Sequence, residues 1–539
     1  MNHTKSRVFF IWCLNFSRTF NFLYRVYSIK YKIAIFLILQ MAIFLMEVNA
    51  QSTRYWSTNL NEESSLLAGA VVGGGAGVGA IYFNPGQISA NTKSNLSINA
   101  SLFSLQFNKI ENALGDNINL KHTRFYSEPR FFSYIFKSNN IEGLTYQLIA
   151  LGKQNFLVSL NSSYETQIDI LNQLPGNERY YGNYNYRNHY MEYWLGAGAS
   201  YKTKSGISIG VSMFGIVKSL YYNKTLTIDA HPLTDSVSIG GIGGIIIPFY
   251  VATTSNNSYI RFDDYRLMWK IGADYTLGRV KLGLNVTTPS IHLFSGGKAV
   301  SGRDNTSNIM NPDGLGFLPD NYMSDEQVKK EIKVNYKDPF SIALGAEYIF
   351  PSKKQFLYIT AEYYFGIKPY KFVTANENPN STIPSIYDDL NPKDWLSYAS
   401  GAKPILNIAL GYKWELNEDL LLLSGFKTDF SYLNDYHFGD YEEYNNLAEF
   451  NFNVYHFSGG LLYKFLGHKL FTGIQYSYGE KKNMTQLVNM SDPVEYNEID
   501  QTALQGVREN NMKYVYNGVS LFFGVTFNFG NKSNDEESE

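Results

Sequence analysis

A few short patterns in this 539-residue chain hold residue types that do chemistry in other proteins. Gly75-x-Gly77-x-x-Ala80, after an apolar run, matches the relaxed form of a dinucleotide loop, whose glycines let backbone N–H groups approach a pyrophosphate. That chemistry needs a helix next, and Pro85 and Gly86 cut one off within two turns. It also needs an acid for the ribose about 20 residues on, where Ile98 to Ser101 offers none. No Lys completes a P-loop there. Gly206-Ile207-Ser208-Ile209-Gly210 reads G-x-S-x-G, but a nucleophile elbow needs strand, sharp turn and helix, and here alternation runs straight through. Ser208 therefore reads as a small wall residue. Of eight histidines only His456 falls on an expected inner face, and no pair has H-x-x-x-H spacing. No metal, no cofactor and no enzymatic activity are expected; a hydrolase would need Ser208 and His456 at one height. The tyrosines from Tyr180 to Tyr190 could stack on sugars, though surface and girdle positions are the commoner use of that residue.

The elements around these patterns explain them better than catalysis does. From Asn95 onward there is no sustained helical period, and side chains alternate with period 2. Val519, Leu521, Phe523, Val525, Phe527 and Phe529 oppose Ser520, Phe522, Gly524, Thr526 and Asn528. Val280 to Thr287 repeats the pattern, with Lys281, Gly283, Asn285 and Thr287 on the second face. Glycine recurs on that polar face, at Gly196, Gly198, Gly210, Gly272, Gly283, Gly345, Gly411, Gly473 and Gly524, and Lys270, Asp274, Glu347, Glu362 and Lys413 share it. An apolar outer face with a small, wet inner one predicts a transmembrane barrel.

Fourteen such runs fall at about 95–107, 122–136, 142–164, 188–202, 206–223, 259–276, 280–294, 332–349, 356–372, 403–415, 420–433, 451–464, 469–480 and 517–529. Gaps of 14 to 37 residues alternate with gaps of 3 to 6. Long loops on one side and tight turns on the other predict an all-β fold: a 14-stranded antiparallel barrel with both termini in the periplasm. Strands descending to the turns end in Tyr201, Tyr275, Tyr348, Tyr412 with Trp414, Tyr463, and Phe527 with Phe529, an interfacial girdle. Composition agrees, with 43 Tyr, 37 Phe and 6 Trp in a chain of slightly negative mean hydropathy.

Ile33 to Met46 is apolar, follows Lys30 and Lys32, and leads to Val48-Asn49-Ala50, so residues 1–50 read as a signal peptide with a long n-region and cleavage before Gln51. Cys13, the only cysteine, is lost with it, leaving an exported chain without disulfides. The remaining 40 basic and 47 acidic residues, net −7, argue against nucleic acid as a partner. Residues 531–539 form a short acidic tail, expected to be periplasmic.

Between leader and barrel lies Gly69 to Gly86, GAVVGGGAGVGAIYFNPG, a small-residue stretch closed by Asn84-Pro85-Gly86. Residues 51–93 are expected to form a plug inside the lumen of a barrel spanning 94–530. The plug with its Asn-Pro-Gly turn, fourteen alternating strands, and Thr288-Pro289-Ser290 high in the seventh strand together resemble the FadL-type outer-membrane transporters of hydrophobic compounds. Tyr82-Phe83-Asn84-Pro85-Gly86 matches the Asn-Pro-Ala motif of that family's N-terminal hatch, with Gly in place of Ala. The resemblance implies passive uptake of long-chain fatty acids or similar apolar molecules by a monomeric barrel in the lipid bilayer. Capture in an external groove is followed by a lumenal site, a shift of the hatch and lateral exit through a kinked third strand. Two features fit. Ile242 to Val251 puts Ile245, Ile246, Ile247 and Phe249 in what should be a solvated loop, a candidate for ligand capture as much as for loop packing. Gly152-Lys153 interrupts the third strand, as a lateral gate or a bend for barrel closure would. The alternative from another class is a barrel of the same fold serving protein secretion or assembly, its long loops holding a partner.

Overall fold

In the computed structural model the described residues are 54–56, 60–91, 94–138, 141–172, 174, 176–233, 237–239, 245–247, 251–308, 323–328, 330–376, 395–433, 450–466, 468–500 and 502–529. The expected signal peptide (1–50), the expected acidic tail (531–539) and Phe249 lie outside them.

Fourteen strands close on themselves. They are β1 (Ser94–Glu111), β2 (Leu120–Lys137), β3 (Leu144–Ile168), β4 (Glu178–Lys202), β5 (Ser208–Pro232), β6 (Ala252–Leu277), β7 (Val280–Thr287), β8 (Ser341–Ile349), β9 (Gln355–Tyr364), β10 (Ile405–Glu415), β11 (Leu420–Asp429), β12 (Val454–Phe465), β13 (His468–Met484) and β14 (Met512–Phe529). Each pairs antiparallel with its neighbours in sequence, and β14 pairs with β1 from Ser94↔Phe529 to Glu111↔Lys513, which closes the barrel and removes the free edges. Outward Leu195, Ile209, Ile271, Leu344, Ile359, Leu410 and Ile474 are exposed, as lipid-facing positions must be, and Tyr201, Tyr275, Tyr348, Trp414, Tyr463 and Phe527 are exposed near the tight turns. Among the described residues no helix is long and apolar enough to cross a membrane; the strands cross it.

Several strands run far past the expected boundaries. β4 has 25 residues and starts at Glu178, whereas the alternation predicts a start near 188; a span needs only about 9–11 residues. Past the lipid zone the pattern changes phase. Tyr180, Tyr184 and Tyr186 point inward and are buried, and Asn183, Asn185 and Arg187 on the other face are not. There the outer face meets water while the interior is filled by a cluster that includes Leu160, Tyr180, Tyr222, Ile260, Phe372, Tyr398 and Met490. The tyrosines offered for sugar stacking are mostly core residues for this reason.

Four strands, β7 to β10, break as they leave the lipid zone, β8 being preceded by the separate piece Lys333–Val334. β7 ends at Thr287, and after Thr288-Pro289-Ser290 a strand over Ile291–Asn308 continues against the upper half of β6 and pairs with Met323–Val328. β9 breaks at Phe365-Gly366, and β10 is preceded by Lys403-Pro404. The separated pieces Lys333–Val334, Ile367–Thr374 and Tyr398–Ala402 form a three-stranded sheet. Proline cannot donate to a ladder, so Pro289 and Pro404 fall where pairing changes partners.

Candidate functional site

The small-residue stretch sits among the inward-facing side chains of the lower barrel. It folds as α1 (Glu62–Leu66), a 3₁₀ turn at Gly77–Gly79, α2 (Ala80–Phe83) and a second 3₁₀ turn over Pro85–Ala90. Asn84 ends α2 in an extended conformation and is fully buried. Its Nδ2 donates to the carbonyls of Val72 (2.9 Å) and Ala273 (3.0 Å), and its Oδ1 accepts from Gly86 N–H (3.0 Å). One side chain thus holds the stretch to itself, to β6, and to the turn that Pro85 begins. Gln87 adds a second brace, donating to Val71 and Val72 carbonyls (3.0 and 2.7 Å) and accepting from Ala76 N–H (3.2 Å). At Gly86 a Cβ would lie 3.0 Å from Ala273 backbone atoms, so Gly rather than Ala after Pro85 permits a closer seat on β6.

The inward glycines receive this stretch. A Cβ on Gly210 or Gly272 would run into Asn84-Pro85, on Gly283 or Gly345 into Val72-Gly73, on Gly411 into Leu67, and on Gly473 into the side chain of Leu66. Wall and stretch meet backbone against backbone around much of the lumen. Between the glycines, polar wall residues tie it down: Ser200 Oγ donates to Gly86 O (2.9 Å), Ser212 Oγ to Ile81 O (3.0 Å), Ser458 Oγ to Leu66 O (2.9 Å), and Thr360 Oγ1 accepts from Val72 N–H (3.2 Å). Lys469 reaches Glu63 at 3.0 Å and Glu62 at 3.7 Å. Burial pushes the Glu62 carboxyl up from its ordinary range; at Glu63 burial acts the same way, but Lys469 and then Lys413 outweigh it and hold the group low.

The wall has two places where neighbouring strands part. β2 pairs with β3 only from Phe131↔Leu151 to Lys137↔Thr145. Beyond that, β2 continues on β1 and β3 continues on β4. Gly152 and Lys153 lie at this point: the β3–β4 register shifts between Gly152 and Gln154, and Lys153 turns inward, buried, to Glu192 at 3.2 Å. Pro129 in β2 lacks a ladder donor close to where pairing ends. Side chains bridge the seam, with Arg124 donating to Asn155 O (3.1 Å) and Asn155 Oδ1 (2.7 Å). The second parting is above Thr287↔Ser341, where the chain leaves β8 for β6. It is spanned by Ser290 Oγ donating to Asp338 and by Arg266, 3.6 Å from Asp338, which also donates to Ser290 Oγ (2.6 Å) and Ser290 O (3.1 Å).

A row of alternating charges, ending on the His292 ring, connects the two partings through the interior. Lys153 meets Glu192, Glu192 meets Lys218 (3.8 Å), Lys218 meets Asp338 (2.5 Å), Asp338 meets Arg266 (3.6 Å), Arg266 meets Asp264 (2.8 Å), and Asp264 meets His292 (2.7 Å). Sequence reasoning finds only Lys153 of these, because the charges meet across neighbouring strands or, for Lys218 and Asp338, across 120 positions of chain, which leaves no local pattern. Arg124 and Asn155 are missed likewise; Pro129 inside an alternating run is the one available signal.

Below the charge row a small cavity borders the stretch, lined by Trp56, Val72, Tyr82, Phe83, Lys270 and Glu362 among others. Lys270 Nζ lies 4.2 Å from the centre of the Tyr82 ring, and Trp56 Nε1 donates to Glu362 (2.7 Å). The expected capture loop is described only in part: Ile245–Ile247 form a short hairpin with Val237–Ile239. His456 bonds Ser477 (2.7 Å) and approaches Asp429 (3.6 Å) on β11 to β13, while Ser208 starts β5. Among the described residues no group of three His, Cys, Asp or Glu side chains could hold a metal ion.

No protein-family model and no curated protein matches this sequence. Among solved structures, the toluene transporter TodX of P. putida matches with a TM-score of 0.50 at 12% identity, over 88% of this chain and 100% of its own. A FadL homologue of Pseudomonas aeruginosa matches over 90% and 100% at 12% identity and TM-score 0.49, and the toluene transporter TbuX of Ralstonia pickettii over 88% and 99% at 9% and 0.47. At these identities the likeness is one of fold, and the fold of this chain is that of the FadL-type barrels.

Proposed function

We propose that this protein conducts hydrophobic small molecules, long-chain fatty acids among them, passively across an outer membrane, with the tight turns on the periplasmic side. An apolar solute taken up at the long-loop end, where Ile245 to Ile247 lie, descends towards the rings of Tyr82 and Phe83, where the present space of about 30 Å³ has to be widened by movement of the small-residue stretch. The stretch around Asn84-Pro85-Gly86 acts as a hatch below it, and the solute leaves sideways between β2 and β3 into the bilayer. No energy source is involved, since the membrane itself is the sink for an apolar solute.

The single observation that carries this reading is the β2/β3 parting. A membrane barrel pairs its strands because an unsatisfied backbone group in hydrocarbon costs several kcal/mol, so a seam held by the Arg124–Asn155 side-chain bridge is a feature that has to be accounted for. Exposed Phe125 and Leu148 lie on the outer faces of β2 and β3. The neighbouring folds include proteins described as toluene transporters, which supports an apolar solute without naming it.

A cysteine pair tests the proposal. Arg124→Cys with Asn155→Cys, oxidised, should abolish cellular uptake of a radiolabelled fatty acid or aromatic hydrocarbon, and reduction should restore it. Undiminished uptake by the oxidised form would remove the lateral route.

A further inference from the structure

A second cavity, of about 390 Å³, lies at the long-loop end, and its chemistry is the reverse of what an apolar solute needs. It is bounded by the upper parts of β5 and β6, the strand Ile291–Asn308, Tyr398, and the segment between β13 and β14. Lys224, Arg303 and Arg508 line it, and no Asp or Glu is among its described lining residues. Arg508 is met at 3.0 Å by Asp500, which stands behind it, and the Arg303 guanidinium lies 5.1 Å from the centre of the buried Trp395 ring. Amide and hydroxyl groups occupy the rest of the polar lining, including Asn256, Asn305 and Gln505. The Tyr496 ring supplies exposed surface, while Tyr222 and Tyr398, both buried, form the wall behind.

Each part selects. Cations concentrated in a recess raise the local concentration of anions. Amide groups, with a donor and an acceptor on one fork, suit neighbouring hydroxyls, and a hydrocarbon placed among them would leave them unpaired. Tyrosine rings present a flat apolar surface with a polar tip, matching a molecule that has a C–H face and a hydroxylated rim. We propose that this cavity is a binding site for a hydroxylated organic anion, an acidic sugar carrying a carboxylate or a phosphate. The proposal goes beyond hydrophobic transport and uses neither the hatch nor the β2/β3 seam, so binding here and uptake there can fail independently.

Calorimetric titration of the detergent-purified full chain tests it, with D-glucuronate, glucose 6-phosphate, glucose and inorganic phosphate as probes. At least one of the two acidic sugars should bind about tenfold or more tightly than glucose and than phosphate alone, the gain expected from one charge-assisted hydrogen bond; which of the two prevails identifies the anion. Arg303→Gln should weaken that binding by a similar factor, with Lys224→Gln as the second variant should Arg303→Gln fail to fold by heat-modifiability on gels. Trp395 fluorescence should change on saturation. Failure of both acidic sugars to bind, equal binding of glucose, equal binding of bare phosphate, or affinity unchanged in the folded variants would overturn the proposal.

Discussion

At the scale of single residues, Asn84 is the best defined point in the lumen. Its three hydrogen bonds join Val72, Ala273 and Gly86. Asn84→Ala removes a donor from the carbonyls of Val72, which keeps Gln87, and Ala273, and the acceptor of the Gly86 N–H, at about 1–3 kcal/mol for a group left unsatisfied. The expected outcome is faster hydrogen exchange across residues 71–90 with an unchanged barrel, measured by mass spectrometry in detergent; protection equal to wild type would show that Gln87 and the glycine contacts suffice. Asn84-Pro85-Gly86 is legible in the sequence because the turn residues are local, with proline fixing φ and asparagine bonding its own backbone two residues on. The partners of Asn84 are not legible, since Ala273 is 189 positions away and contributes only a carbonyl that any residue has.

At the scale of elements, the strands divide into a legible and an illegible half. Val280 to Thr287 reads correctly because lipid requires apolar residues outside and the lumen admits polar ones. Residues 178–187 read as loop because, above the membrane, Tyr180, Tyr184 and Tyr186 have to be inside and Asn183 and Asn185 outside; a search tuned to one phase of alternation stops where the solvent changes. The recurrent inward glycines are legible as a pattern, and sequence reasoning assigns them to room in the lumen. Most of them instead seat the 60–91 segment, while Gly196 and Gly524 make way for the wall residues Phe214 and Phe471, so the room they leave is filled. The β2/β3 seam yields a prediction at this scale. With the bridge to Asn155 gone in Arg124→Ala, the upper part of β3 next to the seam loses about 1–3 kcal/mol of local stability. Amides from 152 to 160 should exchange faster while those of β12 and β13 stay as in wild type; uniform change over the barrel would contradict a local seam.

At the scale of the whole molecule, the interior is stacked in tiers: the 60–91 segment, the charge row from Lys153 to His292, and the apolar cluster under the long loops. Each occupies part of the interior. Removal of residues 60–91 should therefore enlarge conductance in planar bilayers only modestly, because the upper tiers remain, whereas uptake of an apolar solute should change sharply if the hatch gates the lateral route. A large open pore in that deletion would mean that the upper tiers collapse without the lowest one.

The seat of the 60–91 segment also carries a consequence for how the protein is made. Leu66 rests on Gly473, Glu62 accepts from Thr526 (3.1 Å), and Glu63 is held by Lys469, so the part of the chain that emerges first is bound by strands that emerge last. Its other end rests on β5 and β6. The Glu62 to Leu66 end therefore gains its contacts to β13 and β14 only once those strands are in place, whereas the Asn84-Pro85-Gly86 end meets strands made earlier. Completion of the barrel and full seating of the segment are thereby coupled, and a chain stalled before β13 leaves its leading end without that seat.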